Sequence, residues 1–291
     1  RRCGVKMEPK TTFFDYLGHN FHTDILCCPK CGAEFTLESG QLRCQSGHCY
    51  DLSAKGYVNL APNHDQKKEK YDAALFEARS RIFADGFYRP VLDTVAGMLT
   101  RRFGERSFTL ADVGCGEGYY CAELARRFPS SAFFGVDLSR DGIQRAARNR
   151  EACWMVADLK RLPFVPGGMD VVLDVLTPAD YQAFSSVLGE SGVLIKVIPG
   201  ADYLKEVRNL FRDRLRNPDY DNERVLRHLE AHGEILERAT VWAEFPLDER
   251  QSADFLRMTP MTFSIPEEER REKQVEKITI HMEVCMTKVR G

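Results

Sequence analysis

Long apolar runs are missing from this chain. No stretch approaches the roughly 20 apolar residues of a membrane-crossing helix, so no membrane is expected among its partners. The opening residues do not form an apolar core followed by a small-residue cleavage site. No secretory leader is therefore expected, and the cytoplasm is the expected location. Neither sign of charge is in excess: 41 Lys and Arg stand against 43 Asp and Glu, for a net charge of -2. That balance excludes a uniformly basic nucleic-acid binder and leaves room for a local basic face. Cysteine, by contrast, is plentiful. Of the 10 cysteines, Cys27, Cys28, Cys31, Cys44 and Cys49 crowd into one short segment, whereas a secreted disulfide scaffold spreads them along a short, loop-rich chain. A local cluster in a cytosolic chain more often holds a metal. With 291 residues there is room for one large domain, or one large domain and a small module.

The chain is organised around Leu110-Ala111-Asp112-Val113-Gly114-Cys115-Gly116-Glu117-Gly118-Tyr119-Tyr120. Phe108 to Val113 reads as a buried strand. Gly114, Gly116 and Gly118 make a tight turn, where missing Cβ atoms let the backbone bend and a ligand approach. Cys121, Leu124, Ala125 and Phe128 then follow at helical spacing. Strand, glycine turn and helix form the nucleotide-binding corner of a doubly wound α/β domain. A dinucleotide fingerprint is Gly-x-Gly-x-x-Gly; here the spacing is Gly-x-Gly-x-Gly after an acid, Asp112. This segment resembles motif I of the class I S-adenosylmethionine-dependent methyltransferases. A second apolar run, Ala132-Phe133-Phe134-Gly135-Val136, ends in Asp137, an acid placed to accept hydrogen bonds from both ribose hydroxyls.

The second constellation is metal-like. Cys28-Pro29-Lys30-Cys31 and Cys44-Gln45-Ser46-Gly47-His48 form two close pairs, and four such ligands fit tetrahedral, structural zinc with no open position. Cys27 and Cys49 flank the pairs as competing ligands, Cys49 being the stronger rival to His48. A redox pair at Cys28 and Cys31 is the other reading, and it does not need the second half.

Elsewhere the pattern predicts helices over 71–83 and 91–103, a helix from the N-cap Ser139, and a helix over 202–214. It predicts strands over 153–157, 169–175 and 192–198. An alternating segment from Ile278 to Val284 would complete the sheet as its antiparallel member. Residues 50–61 read as a short strand closing the small module, and 63–70, with Lys67, Lys68 and Lys70, as a charged linker. In this fold Asp158, with Leu159 after it, is placed to read the adenine. Asp174, in the segment that faces the methyl group in this fold, is the candidate carboxylate to take a proton from the group that accepts the methyl. Tyr120 and Phe164 are candidates to stack on a planar acceptor.

Taken together, the chain resembles the bacterial 23S ribosomal RNA guanine-N1 methyltransferases of the large-subunit hairpin 35 group, which includes macrolide-resistance members. The resemblance runs from about Cys28 to the C-terminus. It rests on the two zinc pairs, Lys55-Gly56-Tyr57-Val58-Asn59-Leu60, the glycine motif, Arg161-Leu162-Pro163-Phe164 and Met258-Thr259-Pro260. It implies a class I, Rossmann-like fold with a seven-stranded, mostly parallel sheet and a small N-terminal zinc-ribbon-like module. The implied organisation is a tail over 1–26, the zinc module over 27–62, linker and leading helices over 63–107, and the methyltransferase domain over 108–291. It also implies that Tyr88, Gly118, Tyr119, Asp137 and Tyr203 touch the methyl donor, that 23S rRNA is the partner, and that two chains pair as a homodimer. Two other classes stand beside this one: a methyltransferase of a small molecule or protein with zinc as a staple, and a non-catalytic RNA-binding protein.

Overall fold

The computed structural model describes residues 25–38, 40–62, 73–215 and 219–290. The expected tail lies outside the described residues as far as residue 24, as do the charged stretch 63–70 and the expected helix start at Tyr71.

The N-terminal segment folds as a three-stranded antiparallel sheet, β1 (Phe35–Glu38), β2 (Gln41–Cys44) and β3 (Cys49–Asp51), in the order β1-β2-β3. The residues expected to close this module divide between two sheets. Cys49–Asp51 does close it, but β4 (Tyr57–Asn59) leaves it and pairs in parallel with β7 (Cys153–Val156) at the edge of the large sheet. The expected boundary after residue 62 thus falls beyond a strand that the larger sheet owns.

Among the described residues the large sheet has eight strands. β5 (Thr109–Val113), β6 (Ala132–Asp137), β7, β8 (Met169–Val175), β9 (Leu188–Pro199), β10 (Gly233–Pro246) and β11 (Lys277–Val289) supply seven, and β4 is the eighth. The order is β10-β11-β9-β8-β5-β6-β7-β4, parallel from β9 to β4 and antiparallel at β11 and β10. The alternating tail segment is therefore the antiparallel strand expected of it. Its other partner, β10, alternates half-buried and exposed residues, because it is an edge with one dry face. Central strands read differently: Val171, Val172 and Leu173 are all fully buried, since helices cover both faces of a parallel sheet.

Helices α1 (Ala73–Ala84), α2 (Arg89–Phe103), α3 (Tyr119–Arg127), α4 (Arg140–Ala146), α5 (Tyr181–Val187), α6 (Lys205–Leu210), α7 (Glu223–His232), α8 (Glu249–Met258) and α9 (Glu267–Arg271) surround the sheet. Ser139 caps α4 as expected, its side chain accepting from the Gly142 N–H at 3.1 Å. The strand order reverses between β5 and β8. In open α/β sheets a crevice forms at that point, outside the carboxyl ends of the strands.

Two stretches fasten the ribbon to the domain. Leu26 bridges Phe164, the Cys27 N–H donates to the Pro163 carbonyl at 3.0 Å, and the Val165 N–H donates to Ile25 at 2.9 Å. On β4, Val58 faces a core shared with Leu42, Tyr50, Ala111 and Phe134, while Tyr57 faces the opposite core with Ala78 and Trp154. Burying residues of this size stabilises by about 1.5–3 kcal/mol each, so the two sheets hold one continuous hydrophobic interior.

Candidate functional site

The metal cluster forms from the expected residues. One ligand atom each from Cys28, Cys31, Cys44 and His48 lies within 4.8 Å of the others. Cys31 Sγ and Cys44 Sγ stand 3.7 Å apart, and His48 Nδ1 lies 3.5 Å from Cys28 Sγ and 3.4 Å from Cys44 Sγ. Four ligands about 2.0–2.3 Å from a tetrahedral zinc have about these mutual separations, so the donor set fits the metal. Backbone turns aim the ligands. The Cys28 carbonyl accepts from Gly32 at 2.7 Å and the Cys44 carbonyl from Gly47 at 2.9 Å, with both glycines at positive φ. The rivals are elsewhere. Cys49 is exposed on β3, its thiol donating to Gln41 at 3.0 Å, and Cys27 is buried with its thiol pushed up to about 11 by burial.

The candidate methyl-donor site opens where β5 ends. An open cavity of about 1290 Å³ is lined there by Asp112, Gly114, Gly116, Tyr119, Asp137, Leu159, Tyr88 and Tyr203. The Gly114 and Cys115 N–H groups donate to the Val136 carbonyl at 2.8 and 3.1 Å and fold the turn back over β6. A Cβ on Gly114 would stand 2.4 Å from Thr177 Oγ1, which fixes glycine at that position. Asp137 is aimed by the backbone: Oδ2 accepts from Gly116 at 2.8 Å and Oδ1 from Ser139 at 2.7 Å, leaving a lone pair on each oxygen for a ribose. Burial raises its pKa above the usual carboxylate value. Asp112 is 2% exposed, and burial pushes it up to about 8. The Tyr88 and Tyr203 hydroxyls share a hydrogen bond of 2.8 Å, and Tyr119 stacks on Phe83 with ring centroids 4.3 Å apart.

Three sequence-predicted residues sit away from the cavity wall. Gly118 is buried under Trp154: a Cβ there would lie 2.4 Å from the indole, so helix-to-sheet packing requires glycine at this position. Asp158 is exposed and caps the short turn Leu159–Arg161, accepting from Lys160 at 3.0 Å; only its neighbour Leu159 reaches the cavity. Asp174 is fully buried and does not line the cavity. Its Oδ2 accepts from Lys196 Nζ at 2.6 Å and its Oδ1 from the Thr177 N–H at 3.2 Å, because the carboxylate neutralises a lysine next to it in the sheet. Of the base-stacking candidates, Tyr120 lines the cavity while Phe164 packs against Phe134 beneath the ribbon.

Sequence reasoning missed several lining residues. Arg79 on α1 reaches across to Glu117 at 3.1 Å, inside the glycine turn. Lys196 sits in an apolar strand pattern, where a lone lysine is the one signal that could have drawn notice. Tyr181, Arg208, Arg214, Tyr220 and His228 converge from separate elements, with no shared spacing in the sequence.

Sheet order, glycine turn and four-ligand cluster together define a class I S-adenosylmethionine-dependent methyltransferase that carries a structural zinc ribbon. Residues 110–190 match the family model described as a methyltransferase domain, and residues 26–70 match the one described as the RlmA N-terminal zinc ribbon. The chain is 36% identical over 250 residues to a Bacillus subtilis protein that bears the provisional name 23S rRNA (guanine-N(1)-)-methyltransferase YxjB, with 83% of this chain and 88% of that one covered. It is 28% identical over 241 residues to the 23S rRNA (guanine(748)-N(1))-methyltransferase of Streptomyces fradiae, with 82% and 85% covered. The chain belongs to the 23S rRNA (guanine-N1)-methyltransferase family.

Proposed function

We propose that this protein methylates N1 of a guanine in the hairpin 35 region of 23S rRNA. The observation that carries the reading is the continuity of the cavity. It runs from the glycine turn past Thr177 to a second wall of Lys196, Tyr181, Arg208, Tyr220 and His228. Its volume of about 1290 Å³ exceeds the usual range of a small-ligand pocket, about 300–1,000 Å³, and suits a donor and a base together. The base must leave its stack to enter, and Arg208 and Arg214 at the second wall suit a phosphate backbone. S-adenosylmethionine supplies an already electrophilic methyl group when bound, so the residues here chiefly position the base for in-line attack. Asp137 would hold the ribose, and Gly114 and Gly116 would admit the donor's backbone-facing edge. The zinc ribbon would serve as a grip on RNA. The same reading places the protein in the cytoplasm and pairs two chains as a dimer, which sedimentation of the purified protein tests.

Purified protein with donor should introduce one methyl into unmethylated 23S RNA at a guanine. Reverse transcription should then stop there, since an N1 methyl blocks base pairing. Methyl transfer to a small molecule or protein with the RNA untouched would overturn the reading. Donor binding without any transfer would point to an RNA-binding protein that has lost the chemistry.

A further inference from the structure

We propose that Lys196 is a catalytic residue: its ammonium hydrogen-bonds O6 of the target guanine and holds the charge that gathers there as N1 loses its proton. This rests on the guanine-N1 reading above and names a group within the same site.

Guanine N1 is a poor nucleophile at neutral pH because it carries a proton. When that proton leaves, the negative charge spreads from N1 onto O6. A site can therefore assist by taking the proton or by stabilising the charge. Asp174, the carboxylate bonded to Lys196, has both oxygens engaged and does not line the cavity, so it is not free to take it. Lys196 has the opposite arrangement. It lines the cavity, is only 4% exposed, and spends two N–H groups, on Asp174 at 2.6 Å and on the Thr177 carbonyl at 3.1 Å. An ammonium has three donors, so one remains for a ligand. A fixed cation in a dry wall is worth more to a developing anion than one in water. Asp174 neutralises it in the resting protein, which makes burial of the lysine tolerable.

A second observation at the same wall points to a polar ligand. Tyr181 Oη is buried, lines the cavity and has no hydrogen-bond partner among the described residues. Its ring is held in place by stacking on His232, with centroids 4.6 Å apart. Burial raises the phenol to about 12, so it keeps its proton at neutral pH and can donate. A buried orphan hydroxyl lining the same cavity as a lysine with a spare N–H is suited to a planar ligand edge carrying oxygen and nitrogen acceptors, such as the O6 and N7 edge of guanine.

The step balances without a further reactant. Guanine N1 gives its proton to water and its electron pair to the methyl carbon, as that carbon's bond to the donor sulfur breaks with both electrons going to sulfur. Lys196 keeps its protons throughout. Asp174 on β8 and Cys285 on β11 stand in register with it, and Tyr181 on α5, His228 on α7 and Asp112 on β5 line the same cavity.

The test compares the full-length wild-type protein with Lys196→Gln, each loaded with zinc, on 23S RNA carrying guanine or 6-thioguanine at the target position. The N1 proton of 6-thioguanine is intrinsically more acidic, so it depends less on the lysine. The expected result is a loss of about 10²–10³-fold in kcat on guanine, a rising limb of the pH–rate profile moved to higher pH, a smaller loss on 6-thioguanine, and donor affinity by calorimetry within twofold. If Lys196→Gln does not fold, the Asp174→Asn/Lys196→Gln pair, which removes both charges together, carries the same comparison. A folded variant within threefold of wild type on guanine overturns the assignment. So does an equal loss on both bases with no shift of the pH profile, because that pattern belongs to a merely structural lysine. Wild-type protein that leaves guanine unmethylated overturns the activity itself, and that arm is read before any variant is compared.

Discussion

At the residue scale, one side chain explains two glycines. Trp154 is 1% exposed, anchored by its Nε1 donating to the Asn149 carbonyl at 2.8 Å, and a Cβ on Gly118 or Gly135 would lie within 2.4 Å of its ring. Gly118 also has φ +79, where a side chain is strained. Gly118→Ala should therefore combine left-handed strain with overpacking, about 2–4 kcal/mol in all, read by denaturant unfolding followed through the fluorescence of Trp154. Loss of donor affinity with unchanged stability would show that the glycine serves the ligand after all. The spacing of the three glycines was legible in the sequence. Which of them face ligand and which face an indole was not, because that depends on a tryptophan 36 positions further on. Asp112 gives a second test at this scale. Its folded pKa of about 8 lies above the unfolded value of 3.8, so the folded state binds the extra proton between them. Stability from this group is present at low pH and is lost as pH rises through that window. Asp112→Asn should flatten the fall in unfolding free energy between pH 5 and 7, by up to about 1.4 kcal/mol per pH unit. Identical slopes in the two proteins would remove the buried-acid account.

At the scale of elements, the ribbon's attachment is what the sequence hid. The pairs Cys28/Cys31 and Cys44/His48 announce a metal because ligand spacing is local. The strand Tyr57–Asn59 looks equally local, yet it pairs with β7, about a hundred residues away in sequence, and no periodicity reveals a partner. The same holds for Leu162-Pro163-Phe164, a run without obvious chemistry that accepts and bridges the ribbon's first residues. Strand β10 was missed for a related reason: it is an edge whose alternation is muted by Glu and Arg on both faces. Val58 is fully buried between the two sheets. Val58→Asp would place an unpaired carboxylate there, a change of the kind that costs several kcal/mol, without touching a zinc ligand. The variant should keep about one zinc per chain by metal analysis and become open to protease between residues 52 and 62. A protease-resistant variant would mean that the ribbon is held by contacts other than this strand.

For the whole molecule, the question is whether the ribbon is a grip or a staple, and the two interiors of the sheet separate these roles. The donor end of the cavity, with Tyr88, Tyr120 and Tyr203, belongs to the core on one face of the sheet. The ribbon residues Phe35, Leu42 and Tyr50 belong to the core on the other. Chelation removes the charge balance of three thiols and one imidazole at once, and small zinc modules lose their fold with the metal. Because the donor turn lies on the far core, zinc removal should leave S-adenosylmethionine affinity within about threefold, measured by calorimetry, while affinity for 23S RNA falls by at least tenfold, measured by filter binding. Returning zinc should restore the RNA term alone. With a net charge of -2, binding to an anionic partner must come from a local basic face, so what RNA affinity remains should depend strongly on salt. Equal losses of donor and RNA binding would make the ribbon a staple for the whole fold. RNA binding unchanged by chelation would move the grip to the second wall of the cavity, where Arg208 and Arg214 stand.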